Sequence, residues 1–187
     1  MILAAGAGSR LGGVAKALLR SNEETFLARI VRTARDVGLD DAIVVVGAPF
    51  GGAIAEHAGA LGCRVIVNPD PSRGMASSVE LGFAALGGED AAWLWPVDHP
   101  HVTPATLRAL IAALAANQAT VAQPRFGGRG GHPPLIARAL WAQLANCAAC
   151  AGGSRVVLAG AAIATVPVAD PGVVRDVDTP GDAEALP

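Results

Sequence analysis

No apolar run in this sequence approaches the ~20 residues that a membrane-crossing helix needs. Leu107–Ala116 is broken by Arg108 and closed by Asn117-Gln118, and Ile43–Ala48 is short, holds Gly47 and runs into Pro49. The mean hydropathy of +0.43 comes largely from alanine. An excess of positive charge is missing too: 14 Lys and Arg stand against 16 Asp and Glu, for a net charge of −2. That balance argues against nucleic acid or an anionic membrane as the main partner, but leaves room for a local pocket that takes a small phosphorylated ligand. Met1 leads directly into apolar residues with no basic segment or cleavage site, so no signal peptide is expected and the compartment is read as cytoplasmic. Cysteines are scarce and odd in number: Cys63, Cys147 and Cys150. Cys147 and Cys150 have C-x-x-C spacing, but a zinc site needs two more ligands and no matching pair is near. The thiols are read as structural or incidental, with redox or metal use as the alternative. No internal repeat and no linker divides the chain, which reads as one domain over residues 1–187.

What is present is an apolar, alanine-rich chain of 187 residues, 52% of them hydrophobic. That is too apolar for intrinsic disorder, and a chain of this length buries roughly 70% of its unfolded surface without disulfide staples. Strand and helix signals alternate. Ile2–Ala4, Ile43–Val46, Arg64–Val67, Trp93–Val97, Ala119–Gln123 and Ala161–Val168 read as strands. Phe26–Val37, Ala53–Gly59, Ser77–Leu86, Pro104–Ala116, Leu135–Leu144 and Asp182–Leu186 read as helices. The β-branched run from Ile43 suits a strand buried on both faces. Thr103 followed by Pro104 is a favourable helix start. The alternation predicts an α/β fold with three layers, α/β/α, around a mostly parallel sheet, in which ligands bind beyond the carboxyl ends of the strands. The Gly/Pro-rich stretch 127–134 reads as an active-site loop.

The segment Leu3-Ala4-Ala5-Gly6-Ala7-Gly8-Ser9-Arg10-Leu11-Gly12-Gly13-Val14-Ala15-Lys16 carries the most information. A strand runs into small residues, then an arginine, then more glycines and a lysine. Glycines let backbone N–H groups converge on an anion, and Arg10 and Lys16 can add charge-assisted contacts to phosphate oxygens. The loop is not the GxxxxGK[ST] phosphate loop, and its glycines do not have dinucleotide-fold spacing. An ordinary glycine-rich turn with surface Arg and Lys is the plain alternative.

LAAGAGSRLGGVAK resembles the signature loop of the MobA-like NTP transferases, enzymes of a GT-A-type, Rossmann-like fold. They move a nucleoside monophosphate from an NTP to a phosphorylated acceptor. Four further segments extend the resemblance over the whole chain. Asn68-Pro69-Asp70-Pro71-Ser72-Arg73-Gly74-Met75-Ala76-Ser77-Ser78 is similar to a nucleotide-holding segment of the molybdenum-cofactor cytidylyltransferase branch. Ser77 and Ser78 would open a helix there, with simple N-capping as the alternative. Pro96-Val97-Asp98-His99-Pro100 resembles the segment whose Asp binds Mg²⁺; a turn-capping carboxylate is the alternative, and His99 and His101 read as surface loop residues. Gly127-Gly128-Arg129-Gly130-Gly131-His132-Pro133 resembles the G-x-x-G-H-P stretch that borders the acceptor. Its glycines suit a mobile loop, and His132 offers a donor or acceptor near neutral pH. Arg175-Asp176-Val177-Asp178-Thr179-Pro180-Gly181-Asp182 looks like the closing D-x-D-T-P-x-D motif; i, i+2 alternation puts Asp176 and Asp178 on one side, and Asp178 would complete the metal site. A helix-capping role for Thr179 competes.

Two features depart from the cytidylyl pattern. One residue more than usual separates Arg10 from Lys16, as in the guanylyl branch, and Ala151 stands where the G-D-x-G-A-R loop has Asp. The resemblance therefore implies Arg10, Lys16 and Asp98 as catalytic residues. Leu3, Ala4, Ala5, Gly6, Gly8, Ser9, Arg10, Lys16, Asn68, Gly74, Ser77 and Ser78 would bind the nucleotide. Asp98 and Asp178 would hold Mg²⁺, and Gly131, His132 and Asp176 would lie on the acceptor side. The implied partners are CTP and a phosphorylated small molecule, molybdopterin first, with a later enzyme that uses the finished cofactor. Alternatives are guanylyl transfer, a sugar- or polyol-phosphate acceptor, and a catalytically silent nucleotide-binding module. An oxidoreductase reading of Gly6-Ala7-Gly8 is the weakest.

Overall fold

The computed structural model describes residues 1–8, 12–116, 118–178 and 182. Strand β1 (Ile2–Leu3) is short but central, because it pairs in parallel on both sides. The chain then forms a small hairpin, β2 (Arg20–Ser21) and β3 (Glu24–Thr25). Helix α1 (Phe26–Arg35) follows; the Thr25 hydroxyl accepts from the Ala28 N–H at 3.1 Å and caps it. β4 (Ile43–Gly47), α2 (Gly51–Ala60), β5 (Arg64–Asn68) and α3 (Met75–Ala84) come next. After them run β6 (Ala91–Trp93), β7 (Trp95–Pro96), α4 (Pro104–Ala116), β8 (Val121–Phe126), β9 (Arg129–Gly130) and β10 (Leu135–Ala137). The short helices α5 (Trp141–Leu144) and α6 (Ser154–Ala159) precede β11 (Ile163–Pro167).

The strands run β5-β4-β1-β7 in one parallel group and β11-β8-β10-β6 in a second, where β10 is antiparallel to both neighbours. Side chains of β1 and β4 alternate between two cores. Ile2, Ala4, Val44 and Val46 pack with α1, α2 and α4 through Leu27, Ile30, Ile54, Leu107 and Leu110. Leu3 and Val45 pack on the other face with α3 and α5 through Val79, Phe83, Trp141 and Leu144. Helices on both faces of a mostly parallel sheet give the three-layer α/β fold that the alternation predicted.

Three expectations change. Trp93–Val97 is not one strand in one sheet: Leu94 N–H donates to Pro134, while Trp95 N–H donates to Met1. β6 pairs only with β10 and β7 only with β1, so this stretch joins the two groups. Leu135–Leu144 is not one helix. Leu135 and Ile136 are buried in register between Trp93-Ala92 and Ala122-Val121, and helix begins only after a 3₁₀ turn at Arg138–Leu140. Here strand pairing outweighs helical spacing. The stretch 127–134 is not irregular throughout: Gly127-Gly128 turn the β8–β9 hairpin, and Gly131, Pro133 and Pro134 are buried. The hairpin β2–β3 and helix α6 had no clear signal in the sequence. Of the helix expected at 182–186, all but Asp182 lies outside the described residues.

Candidate functional site

A cleft of about 380 Å³ opens at the carboxyl ends of β1 and β7. Its floor is the chain from Leu3 to Gly8. Ala4 N–H is still held by Val45 at 2.8 Å, but the N–H groups of Ala5, Gly6, Ala7 and Gly8 have no acceptor among the described residues. Gly8 has φ +58°, and a Cβ there would meet the Val14 carbonyl, so only glycine closes this turn. Its own carbonyl accepts from Gly13 N–H at 3.1 Å. The result is a run of cleft-lining residues whose backbone donors have no acceptor among the described residues, an arrangement that suits an anion.

Lys16 opens a 3₁₀ turn anchored by buried Ala17. Its Nζ donates to Asp98 Oδ2 at 3.2 Å and to Asp178 Oδ1. Burial of the ammonium works against its charge, but the two carboxylates outweigh it and raise the lysine above its usual range. Asp98 follows β7 and is held from both sides. Trp95 Nε1 donates to the His99 carbonyl at 2.9 Å, and Val177 N–H donates to the Asp98 carbonyl at 2.9 Å. Asp178 N–H donates to Asp182 Oδ2 at 3.1 Å.

Two carboxylates that share one cation also have the chemistry of a Mg²⁺ or Mn²⁺ site completed by phosphate oxygens and water. Asp98 and Asp178 fit that group. Among the described residues no cluster of three or more His, Cys, Asp and Glu side chains could hold a metal by itself.

Leu3, Ala4, Ala5, Gly6, Gly8, Lys16, Gly74, Ser78, Asp98 and Asp178 all line the cleft, although up to 175 residues separate them in the chain. Ser9, Arg10, Thr179 and Pro180 lie outside the described residues. Asn68 and Ser77 do not line it. Asn68 Nδ2 donates to the hydroxyls of Ser77 and Ser78, both at 2.9 Å, and Ser77 Oγ donates to the Gly74 carbonyl. Helix α3 starts at Met75 rather than at Ser77, and neither serine is its N-cap. These residues tie the end of β5 to the start of α3, which sets Gly74 and Met75 at the cleft wall.

Gly131, His132 and Asp176 stand outside the cleft lining. His132 is packed against His99 with ring centres 4.8 Å apart. Burial, then the neighbouring His99, pushes His132 down to about 4, so it is neutral near pH 7 instead of titrating there. His99 is buried and not a surface residue, and burial likewise pushes His101 down to about 4. Asp176 is exposed while Val177 is buried. Cys63 and Cys147 are buried, Cys150 is exposed, and all three are free thiols. Trp95 and Asp170, which organise the loops around Asp98, were not singled out in the sequence. The turn-forming Asp170-Pro171-Gly172 was the available signal for the second.

Residues 1–166 match the MobA-like NTP transferase domain. The chain is 32% identical over 164 residues to nicotine blue oxidoreductase of Paenarthrobacter nicotinovorans, covering 84% of this chain and 79% of that protein. It is 41% identical over 114 residues to the bifunctional IPC transferase and DIPP synthase of Rubrobacter xylanophilus, covering 59% of this chain and 26% of that longer protein. Rv0371c of Mycobacterium tuberculosis H37Rv is 30% identical with a TM-score of 0.77, over 98% of this chain and 93% of that chain. A second Rv0371c structure, a complex with manganese, aligns at 25% identity and a TM-score of 0.75 over 99% and 97% of the two chains.

Proposed function

Since this chain belongs to the MobA-like NTP transferase family, we propose that it transfers CMP from CTP to the phosphate of molybdopterin and releases pyrophosphate. The observation that carries the reading is the convergence of Asp98 and Asp178 on one cation, beside four backbone N–H groups with no acceptor among the described residues. In the reaction an acceptor phosphate oxygen bonds to the α-phosphorus, and the bond from the α-phosphorus to the bridging oxygen breaks. The Ala5–Gly8 amides hold the triphosphate, Lys16 neutralises charge that builds on it, and Arg10 adds a second cation. A bound Mg²⁺ would supply further charge neutralisation and orient the phosphates. That one Rv0371c structure is a complex with manganese supports the use of a divalent metal. The cytidylyl-type segment that holds Gly74-Met75 supports CTP, while the Arg10–Lys16 spacing fits the guanylyl branch.

The test is thermal unfolding with Mg²⁺ and, in turn, CTP, GTP, ATP and UTP. A ligand at 100 times its Kd stabilises by about 2.7 kcal/mol. We expect stabilisation by CTP that is lost in Asp98→Ala, together with metal-dependent pyrophosphate release. A GTP preference would move the protein to guanylyl transfer, and no response to any NTP would overturn the assignment. The relative named nicotine blue oxidoreductase favours a second reading, redox chemistry in the same cleft. Stabilisation by NAD or NADH and by no NTP would carry that reading instead.

A further inference from the structure

Asp170 is a buried carboxylate, 6% exposed, that the proposed reaction does not use. It accepts four hydrogen bonds. Oδ2 takes the Thr103 N–H at 2.8 Å, the Thr103 hydroxyl at 2.9 Å and the Thr106 hydroxyl at 2.6 Å. Oδ1 takes the Gly172 N–H at 3.0 Å. Three donors come from the start of α4 and one from the turn that begins the closing segment, residues 170–178.

That segment ends at Asp178, and it is fastened to the loop that carries Asp98 and, at Val173, to the stretch that holds His132. Gly172 lies so close to His101 that a Cβ would sit 2.4 Å from the His101 carbonyl. Val173 accepts from His132 N–H at 2.7 Å, and Val177 N–H donates to the Asp98 carbonyl. The loop 98–103 and the closing segment are therefore braced at two ends. Val177 joins them beside the two carboxylates, and Asp170 joins them at the far end. Lys16 neutralises the pair, but a metal ion also needs their separation fixed, and the two joins fix the backbone on which both carboxylates stand.

We propose that Asp170 is a positioning residue: by bonding α4 to the closing segment it holds Asp178 in register with Asp98, and so sets the affinity of that pair for a divalent cation. The inference rests on Asp98 and Asp178 being the metal-binding pair.

Asp170→Asn is the informative variant. It keeps the shape, but each oxygen of Asp170 faces a backbone N–H, Thr103 on one side and Gly172 on the other. Whichever side receives the amide NH₂, donor faces donor. The measurement is Mn²⁺ titration of the full chain by electron paramagnetic resonance, with urea unfolding run alongside. Residues that orient metal ligands from behind contribute about 10- to 100-fold in affinity, so we expect Mn²⁺ to bind folded Asp170→Asn about tenfold more weakly than wild type. Thr106→Val removes the Thr106 hydroxyl's bonds to Asp170 and to the Thr103 hydroxyl, both on the α4 side, and should weaken Mn²⁺ by about two- to threefold, the low end of what one hydrogen bond contributes; it carries the test if Asp170→Asn does not fold. Wild-type Mn²⁺ affinity in a folded Asp170→Asn, or in Thr106→Val where that is the variant tested, overturns the proposal, even if stability falls. Asp98→Ala separates the two failures. If it abolishes Mn²⁺ binding while Asp170→Asn leaves it unchanged, only the role of Asp170 falls. If Asp98→Ala binds Mn²⁺ like wild type, the metal-pair reading falls and the proposal with it.

Discussion

Lys16, proposed above to neutralise charge on the triphosphate, is paired with two carboxylates in this structure. Its Nζ satisfies both Asp98 and Asp178. A divalent cation that binds this pair must displace the ammonium, and a triphosphate in the cleft gives the ammonium somewhere to go. Metal and nucleotide should therefore bind cooperatively, each helping the other. Lys16→Met removes the competing cation while keeping the aliphatic stem. We expect Mn²⁺ to bind the nucleotide-free variant about tenfold more tightly, since the ammonium that competes for the carboxylates is gone. Pyrophosphate release should fall by about 100-fold, the typical loss when one donor to a developing negative charge is removed. Mn²⁺ titration without nucleotide and a pyrophosphate assay measure the two effects separately. Unchanged metal affinity would mean that the ion pair does not guard the site. As types and spacing, Lys16 and Asp98 were legible in the sequence, but their contact across 82 positions was not.

At the scale of elements, the join between β5 and α3 shows how residues of a recognised motif can shape a cleft without all of them lining it. Asn68, Ser77 and Ser78 stood out as polar residues in a nucleotide-holding pattern. The side chains of Asn68 and Ser77 turn instead into the protein, where Asn68 bridges the two hydroxyls and its Oδ1 accepts from Asp70 N–H at 3.0 Å. They shape the cleft wall through the backbone of Gly74, whose φ of +87° suits glycine. Asn68→Ala strands Asp70 N–H and removes the donor to both serines. A loss of about 1–3 kcal/mol is expected, because partly buried polar groups go unsatisfied. Urea unfolding checks the stability, and a CTP titration should show weaker binding in the folded variant. Full stability would show that water replaces the brace. No pattern in the sequence tells an inward-facing asparagine from an outward-facing one, since burial depends on what packs above it.

Over the whole molecule, two half-buried histidines link the fold to pH. His132 and His101 are both held near 4, first by burial. The unfolded chain takes up these protons near the ordinary value of about 6.5, so it gains protons first as pH falls. Stability from these groups is complete above that value and is lost progressively between about 6.5 and 4. Urea midpoints measured at several pH values should decline across this window, and His132→Gln should flatten part of the decline. A flat profile would mean that the imidazoles are solvated. The same scale separates the two sources of information about this protein. Alternating apolar runs, a glycine loop after the first strand and carboxylates at strand ends determined the α/β class, the family resemblance and the chemistry to look for, because local spacing carries each of these. Only the tertiary structure decided that Leu135–Ala137 is a strand, that Asn68 and Ser77 face inward, that His132 is neutral, and that Asp170 braces the segment that brings Asp178 to Asp98. Those outcomes depend on contacts between distant parts of the chain, and on the burial that such contacts create, which local sequence does not encode.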